Sequence, residues 1–178
     1  MGSSSASPRR LLWWYIATWF GCGLFPVSGT VGSLGALPFA YIIQRYCGNT
    51  ALFIASIVIF FIGWWASNQY LKATGRDDDP SEIVVDEVAG QWLLLSVMFL
   101  TWQSYLVGFV LFRAFDIIKP WPVSVADRKI KGGLGVMFDD ILAAFYPMVI
   151  YLVLIAIPAA QPLLQPLLHF IAGGADAH

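Results

Sequence analysis

Three long stretches of this chain carry almost no charge, and that feature limits its possible folds more than any other. Between Leu11 and Leu71 the only charged residue is Arg45, while Val88 to Phe112 and Ile141 to Ala175 contain none. An average soluble chain has roughly 25% charged residues; here 12% are charged and 58% hydrophobic, too little polarity to cover a water-facing surface. The uncharged runs are therefore predicted to lie in a bilayer. Backbone amides cannot stay unpaired in lipid, and the alternation of a β-barrel is absent, so the spanning segments are expected to be helices. The fold class that follows is all-α, a polytopic membrane helical bundle. A disordered chain, a disulfide scaffold and a basic nucleic-acid-binding domain are excluded, the last because the formal net charge is −1. Cys22 and Cys47 sit in apolar surroundings with no CxxC pattern and read as small buried hydrophobes.

Ala51 to Leu71 is the clearest span, since 21 residues at 1.5 Å each reach about 31 Å, enough for a hydrocarbon core of about 30 Å. Ile141 to Ala160 is the second. Leu11 to Tyr46 is too long for one crossing and is interrupted by Gly21, Gly23, Pro26 and GTVGSLGALP. It is read as an N-terminal interfacial or re-entrant helix, a loop, and a short span from about Val31 to Tyr46 that ends at the turn-like Cys47-Gly48-Asn49-Thr50. The 31 residues from Asp86 to Asp116 fit either one helix of about 46 Å or a hairpin turning near Thr101-Trp102-Gln103-Ser104. Basic residues favour the hairpin, which gathers all of them except Arg45 on the cytoplasmic side. About five spans are expected, at 31–46, 51–72, 86–101, 104–118 and 140–158. Residues 1–10 read as a disordered leader, 11–160 as one membrane-embedded catalytic domain and 161–178 as an external tail.

Ten of the eleven acidic residues lie between Asp77 and Asp140, and all of these but Asp127 fall in three groups. In the first, Asp79, Glu82 and Asp86 are spaced i, i+3, i+7, so a helix starting near Pro80 would align them on one face. Acids at a helix start also complement its dipole, but Asp86 and Glu87 border an apolar run, where leaving a carboxylate unpaired is expensive. In the second, Arg113, Asp116 and Lys119 repeat every three residues, either as an ion-pair ladder or as cations able to hold a phosphate. In the third, Asp139 and Asp140 follow Lys131-Gly132-Gly133-Leu134-Gly135, where the glycines permit close backbone approach and the acids mark a helix N-terminus. A fourth feature, Gly29-Thr30-Val31-Gly32-Ser33-Leu34-Gly35, presents two hydroxyls at a helix start, suited to an anion or to helix packing.

Carboxylates without a histidine or cysteine among them suit a hard cation with oxygen ligands, Mg²⁺ above all. His169 and His178 are the only histidines and lie in the tail, remote from the acids, which excludes a histidine phosphatase at this face. Two other classes use membrane-embedded acids. A CDP-alcohol phosphotransferase-like enzyme would show a DxxDG signature, absent here, and a cation transporter or channel would place its acids at mid-membrane.

The four motifs GTVGSL, DPSEIVVDEVAGQW, FRAFDIIKPWPV and GGLGVMFDD, in this order over roughly residues 20 to 145, resemble the phosphatidylglycerophosphatase A family. The resemblance implies a multi-pass inner-membrane, Mg²⁺-dependent lipid phosphatase that converts phosphatidylglycerol phosphate into phosphatidylglycerol, with its site facing the cytoplasm. It also implies one shared aqueous face, hence the hairpin. A phosphate monoester carries nearly two negative charges, so cations must neutralise it before a nucleophile can approach. On that ground Asp79, Glu82, Asp86 and Asp140 are expected as metal ligands. Asp86, Glu87, Asp116, Asp139 and Asp140 form the catalytic set, with Asp116 orienting the cations. Arg113 and Lys119, aided by Thr30 and Ser33, are expected to bind the substrate phosphate.

Overall fold

The computed structural model describes residues 8–76, 80–156, 165–166 and 169–172, and every regular element among them is helical. These are α1 (Pro8–Ala17), a 3-10 turn (Cys22–Leu24), α2 (Ser28–Thr74), α3 (Val85–Leu95), α4 (Trp102–Ile118), α5 (Val123–Lys129) and α6 (Gly132–Ala156). The all-α expectation holds. Two helices, Ser28–Thr74 and Gly132–Val153, are long and apolar enough to cross a membrane by length and composition.

The longer of the two is a helical pair rather than a rod. Gly48 has φ 85° and ψ 174°, a conformation barred to side chains with a Cβ, and it divides α2 into arms 28–47 and 49–74. Contacts along the arms give their directions. Near the start of the first arm Gly32 meets Val84, and near the middle of the second Gly63 meets Met137 and Val85, so both reach the same end of the bundle. At the opposite end a polar cluster holds the bend. The Tyr105 hydroxyl donates to Gln44 Oε1 at 2.7 Å, while Gln44 Nε2 donates to Asn49 Oδ1 at 3.0 Å and to the Met98 carbonyl at 2.9 Å. Removing one partner from such a cluster strands the others away from water. Gln44→Ala is expected to lower stability by about 1–3 kcal/mol, read from thermal unfolding in detergent.

Every residue of α3 is buried. The helix is inserted between the two arms of α2 and α6, and Trp92 Nε1 donates to the Ala36 carbonyl at 2.9 Å. Helices that meet this closely are held by tight backbone packing. Small residues supply it. A Cβ on Gly90 would lie 2.6 Å from Phe112 Cε2 and 2.9 Å from the Asp140 carbonyl, and one on Gly133 2.7 Å from the Asn68 backbone nitrogen.

The segment 86–116 is a hairpin, as the charge distribution requires. Helix ends at Leu95, and the chain turns before Thr101 caps α4, its side chain accepting from the Ser104 N–H at 3.2 Å. The turn needs neither Gly nor Pro because threonine capping and Gln44 satisfy its backbone. Two details differ from expectation. The turn begins at Ser96, so α3 has 11 residues and at 1.5 Å each is about 16 Å long, too short to cross a bilayer by itself. Helix α3 also begins at Val85, not near Pro80, because residues 80–84 form a turn whose last N–H, that of Val84, donates to the α1 carbonyl of Ala17 at 2.9 Å.

Helix α6 begins at Gly132, so Asp139 and Asp140 lie two turns inside it rather than at its N-terminus. Asn68 Oδ1 accepts the Gly133 N–H at 3.1 Å and caps the earlier start. Of the two free cysteines, Cys22 is half-buried but Cys47, beside the Gly48 bend, is exposed. At the far end of the bundle the Ile171 carbonyl accepts from the hydroxyls of Thr101 and Ser104.

Candidate active site

The first turn of α3 carries Asp86 and Glu87, and α6 brings Asp140 beside them through the Gly90 contact. One carboxylate oxygen from each of these buried residues lies within 4.8 Å of the others. Glu87 Oε2 and Asp140 Oδ2 are buried and accept no hydrogen bond in the structure. Carboxylates so close repel one another and have lost their water, and nearby positive charge or protonation offsets both penalties.

Part of that charge comes from α4. Arg113 Nη1 lies 3.6 Å from Glu87 Oε1 and 2.5 Å from Asp116 Oδ2, and the side chains of all three are 12–14% exposed. The guanidinium is thus tethered from two sides above the acid trio. Of the possible ladder of Arg113, Asp116 and Lys119, the structure shows the first step. Lys119 is the C-cap of α4 with φ 44°, and this left-handed turn directs its side chain to α6, where Nζ donates to Asp139 Oδ2 at 2.6 Å.

The N-terminus of α2 completes the ring. Gly29 packs so tightly that a Cβ there would lie 2.4 Å from Glu87 Oε1 and 2.8 Å from Arg113 Nη2. Ser33, one turn further, is fully buried with its hydroxyl unpaired, and Thr30 is half-buried at the same helix start. The structure therefore brings together Asp86, Glu87, Arg113, Asp116 and Asp140, with the Lys119–Asp139 pair at the adjoining end of α4 and Gly29 sealing one side.

Glu82 is placed elsewhere. Its carboxylate pairs with Arg76 at 3.4 Å on the partly exposed loop, because the segment before Val85 is not helical and does not project it toward Asp86. Asp79 lies outside the described residues. Two buried or tightly packed residues close to these acids in sequence or space were not singled out from sequence. Gly29 was legible only as part of a glycine-rich motif. Gln91 is fully buried, with neither amide atom hydrogen-bonded, and its signal was its position four residues after Glu87, on the same face of α3.

Gly29 offers a test that separates site geometry from folding. The atoms a new methyl group would strike belong to the ends of flexible side chains, so Gly29→Ala is expected to fold. It should displace Glu87 and Arg113 and lower kcat/KM about 10–100-fold, the range for loss of support around such sites. An unchanged kcat/KM would show that this contact does not position them.

Acid oxygens gathered beside a largely buried arginine are suited to a hard cation and an anion together, and the relatives that follow make the protein a phosphatase, a hydrolase. A family model described as Phosphatidylglycerophosphatase A matches residues 15–155, and the chain belongs to that family. It is similar to Phosphatidylglycerophosphatase A of Escherichia coli (strain K12), 41% identical over 74% of this chain and 76% of the relative. The protein of the same name from Haemophilus influenzae is 36% identical over 76% and 83% of the two chains. A Putative phosphatidylinositol-3-phosphatase from Bacteroides thetaiotaomicron is 41% identical over 76% and 88%. No solved structure matches the chain significantly.

Proposed function

We propose that this protein hydrolyses the terminal phosphate monoester of phosphatidylglycerol phosphate to phosphatidylglycerol and inorganic phosphate, with Mg²⁺ as cofactor. The observation that carries the reading is the convergence of Asp86, Glu87 and Asp140 within 4.8 Å beside Arg113. The donor set fits the ion: three carboxylates, no nitrogen or sulfur ligand, and two buried oxygens without a hydrogen bond.

Asp86, Glu87 and Asp140 would hold the ion, which when bound supplies Lewis-acid neutralisation of phosphate charge. Arg113 would hold a phosphate oxygen through guanidinium nitrogens not engaged by Asp116, which fixes the angle of the group. Lys119, anchored on Asp139, adds positive charge at the mouth. In the net reaction a water oxygen bonds to phosphorus, the bond from phosphorus to the glycerol oxygen breaks, and that oxygen takes a proton.

A multi-pass inner-membrane location with the site toward the cytoplasm agrees with the charge distribution. The two arms of α2, of 20 and 26 residues on either side of Gly48, are about 30 and 39 Å long, and α6 adds a third crossing. Helix α4 can serve as a fourth beside α3, whose short length is tolerable because it is surrounded by protein. Lys72, Arg76, Arg113, Lys119, Lys129 and Lys131 belong to segments at the acid end, whereas Arg45 stands near the Gly48 bend, as the positive-inside rule requires.

The test is phosphate release from purified protein in detergent micelles. Phosphatidylglycerol phosphate with Mg²⁺ should give turnover, and EDTA should abolish it until Mg²⁺ is restored. Phosphatidylinositol 3-phosphate serves as the competing substrate. Faster release from that lipid, or full activity in EDTA, would overturn the substrate or the metal assignment respectively.

A further inference from the structure

Two apolar grooves open on the outside of the bundle, and helix geometry distinguishes them. One, of about 480 Å³, lies between the second arm of α2 and α6, with Phe138, Ile141 and Phe145 on its wall. At about 100° per residue these side chains leave α6 some 100–160° away from Asp140, so the groove faces away from the acids. The other, of about 500 Å³, lies between the first arm of α2 and α4. Its wall residues Leu34 and Tyr41 fall within about 40° of Thr30 on α2, and Leu106 and Trp102 within about 20° of Arg113 on α4. This groove therefore descends from the residues expected to bind phosphate.

We infer that the groove between the first arm of α2 and α4 seats one acyl chain of the lipid substrate, an assignment that rests on the function proposed above. Its length fits. Thr30 to Tyr41 and Arg113 to Trp102 each span eleven residues, about 16 Å at 1.5 Å per residue, close to half of a hydrocarbon core of about 30 Å. Its far end is closed, since the Tyr41 and Tyr105 rings meet edge to face at 6.3 Å and the Tyr105 hydroxyl is tied to Gln44. Leu34 and Leu106 stand half-exposed on opposite walls, available to a chain entering sideways from the bilayer.

The experiment compares dipalmitoyl with dihexanoyl phosphatidylglycerol phosphate, KM being expressed as mole fraction in micelles. Leu106→Trp and Leu34→Trp obstruct the groove from its two walls. Each is expected to raise KM about tenfold more for the long-chain lipid than for the short one. Phe145→Trp, in the other groove, should leave the ratio as in the unaltered protein. An unchanged ratio in both groove variants, with melting curves showing folded protein, would overturn the inference. So would an unchanged ratio accompanied by loss of a dimer in light scattering, which would make the groove a contact between copies. If the unaltered protein released phosphate from neither lipid, the functional reading itself would fall and take this inference with it, a pattern distinct from the other two.

Discussion

Asp140→Asn is expected to reduce kcat by about three orders of magnitude while leaving the melting temperature of the metal-free protein unchanged or raised. The first effect follows from removing one of three carboxylates that would hold the ion; losses of 10²–10³ accompany removal of a single stabilising group from comparable electrostatic sites. The second follows from the same geometry read without the ion. Three acids with oxygens within 4.8 Å repel one another in a desolvated place, and asparagine keeps the shape while removing one charge. A structural acid would behave oppositely, since its loss would leave a partner unpaired and lower stability. Phosphate release and differential scanning fluorimetry, each with and without Mg²⁺, give the two readings. Near-normal turnover, or a fall in melting temperature without metal, would remove Asp140 from the site.

Arg113→Met should be equally damaging to activity but opposite in its effect on stability. Methionine preserves much of the aliphatic stem, so the change isolates the charge. Arg113 is the cation nearest both Glu87 and Asp116, and its removal leaves two largely buried carboxylates facing an already negative cluster. Breaking a buried pair by deleting one partner typically destabilises by about 3–5 kcal/mol, and slightly less is expected here because the pair is partly open. Activity should fall at least a thousandfold, with KM rising along with the loss in kcat if Arg113 holds the substrate phosphate. Mg²⁺ should restore part of the lost stability by supplying positive charge to the same acids, but not the activity. If the variant melted like the unaltered protein, Arg113 would not be the counter-charge of the cluster.

The contrasting pair shows where local reasoning succeeded. Asp86, Glu87, Arg113, Asp116 and Asp140 were legible because a charged residue beside a long uncharged run is expensive to desolvate and must be compensated. The hairpin was legible for a related reason, that a return of the chain puts the basic residues on one side, though its turn lies at 96–101 rather than near residues 101–104. Glu82 was misplaced by an argument from helical spacing alone. Its i, i+3, i+7 relation to Asp79 and Asp86 has meaning only inside a helix, and the contact of Val84 with Ala17 delays the helix to Val85. Lys119 pairs with Asp139 rather than continuing a ladder with Asp116, because a C-cap in the left-handed region breaks the register that the spacing assumed. Gln91 escaped notice since a glutamine within an apolar run carries no charge to draw attention to it.

From the order of its residues alone, this protein is committed to an all-helical fold, to long uncharged runs interrupted by glycine, and to acidic motifs resembling one family. The first two are consequences of composition and periodicity, which act over a few turns of chain. Which acids meet, how Arg113 reaches Glu87, and why Gly29 must lack a side chain were decided by the packing of α2, α3, α4 and α6. A distance between residues 87 and 140 depends on where whole helices cross, and the small side chains at Gly90 and Gly133 set those crossings across more than forty residues of sequence.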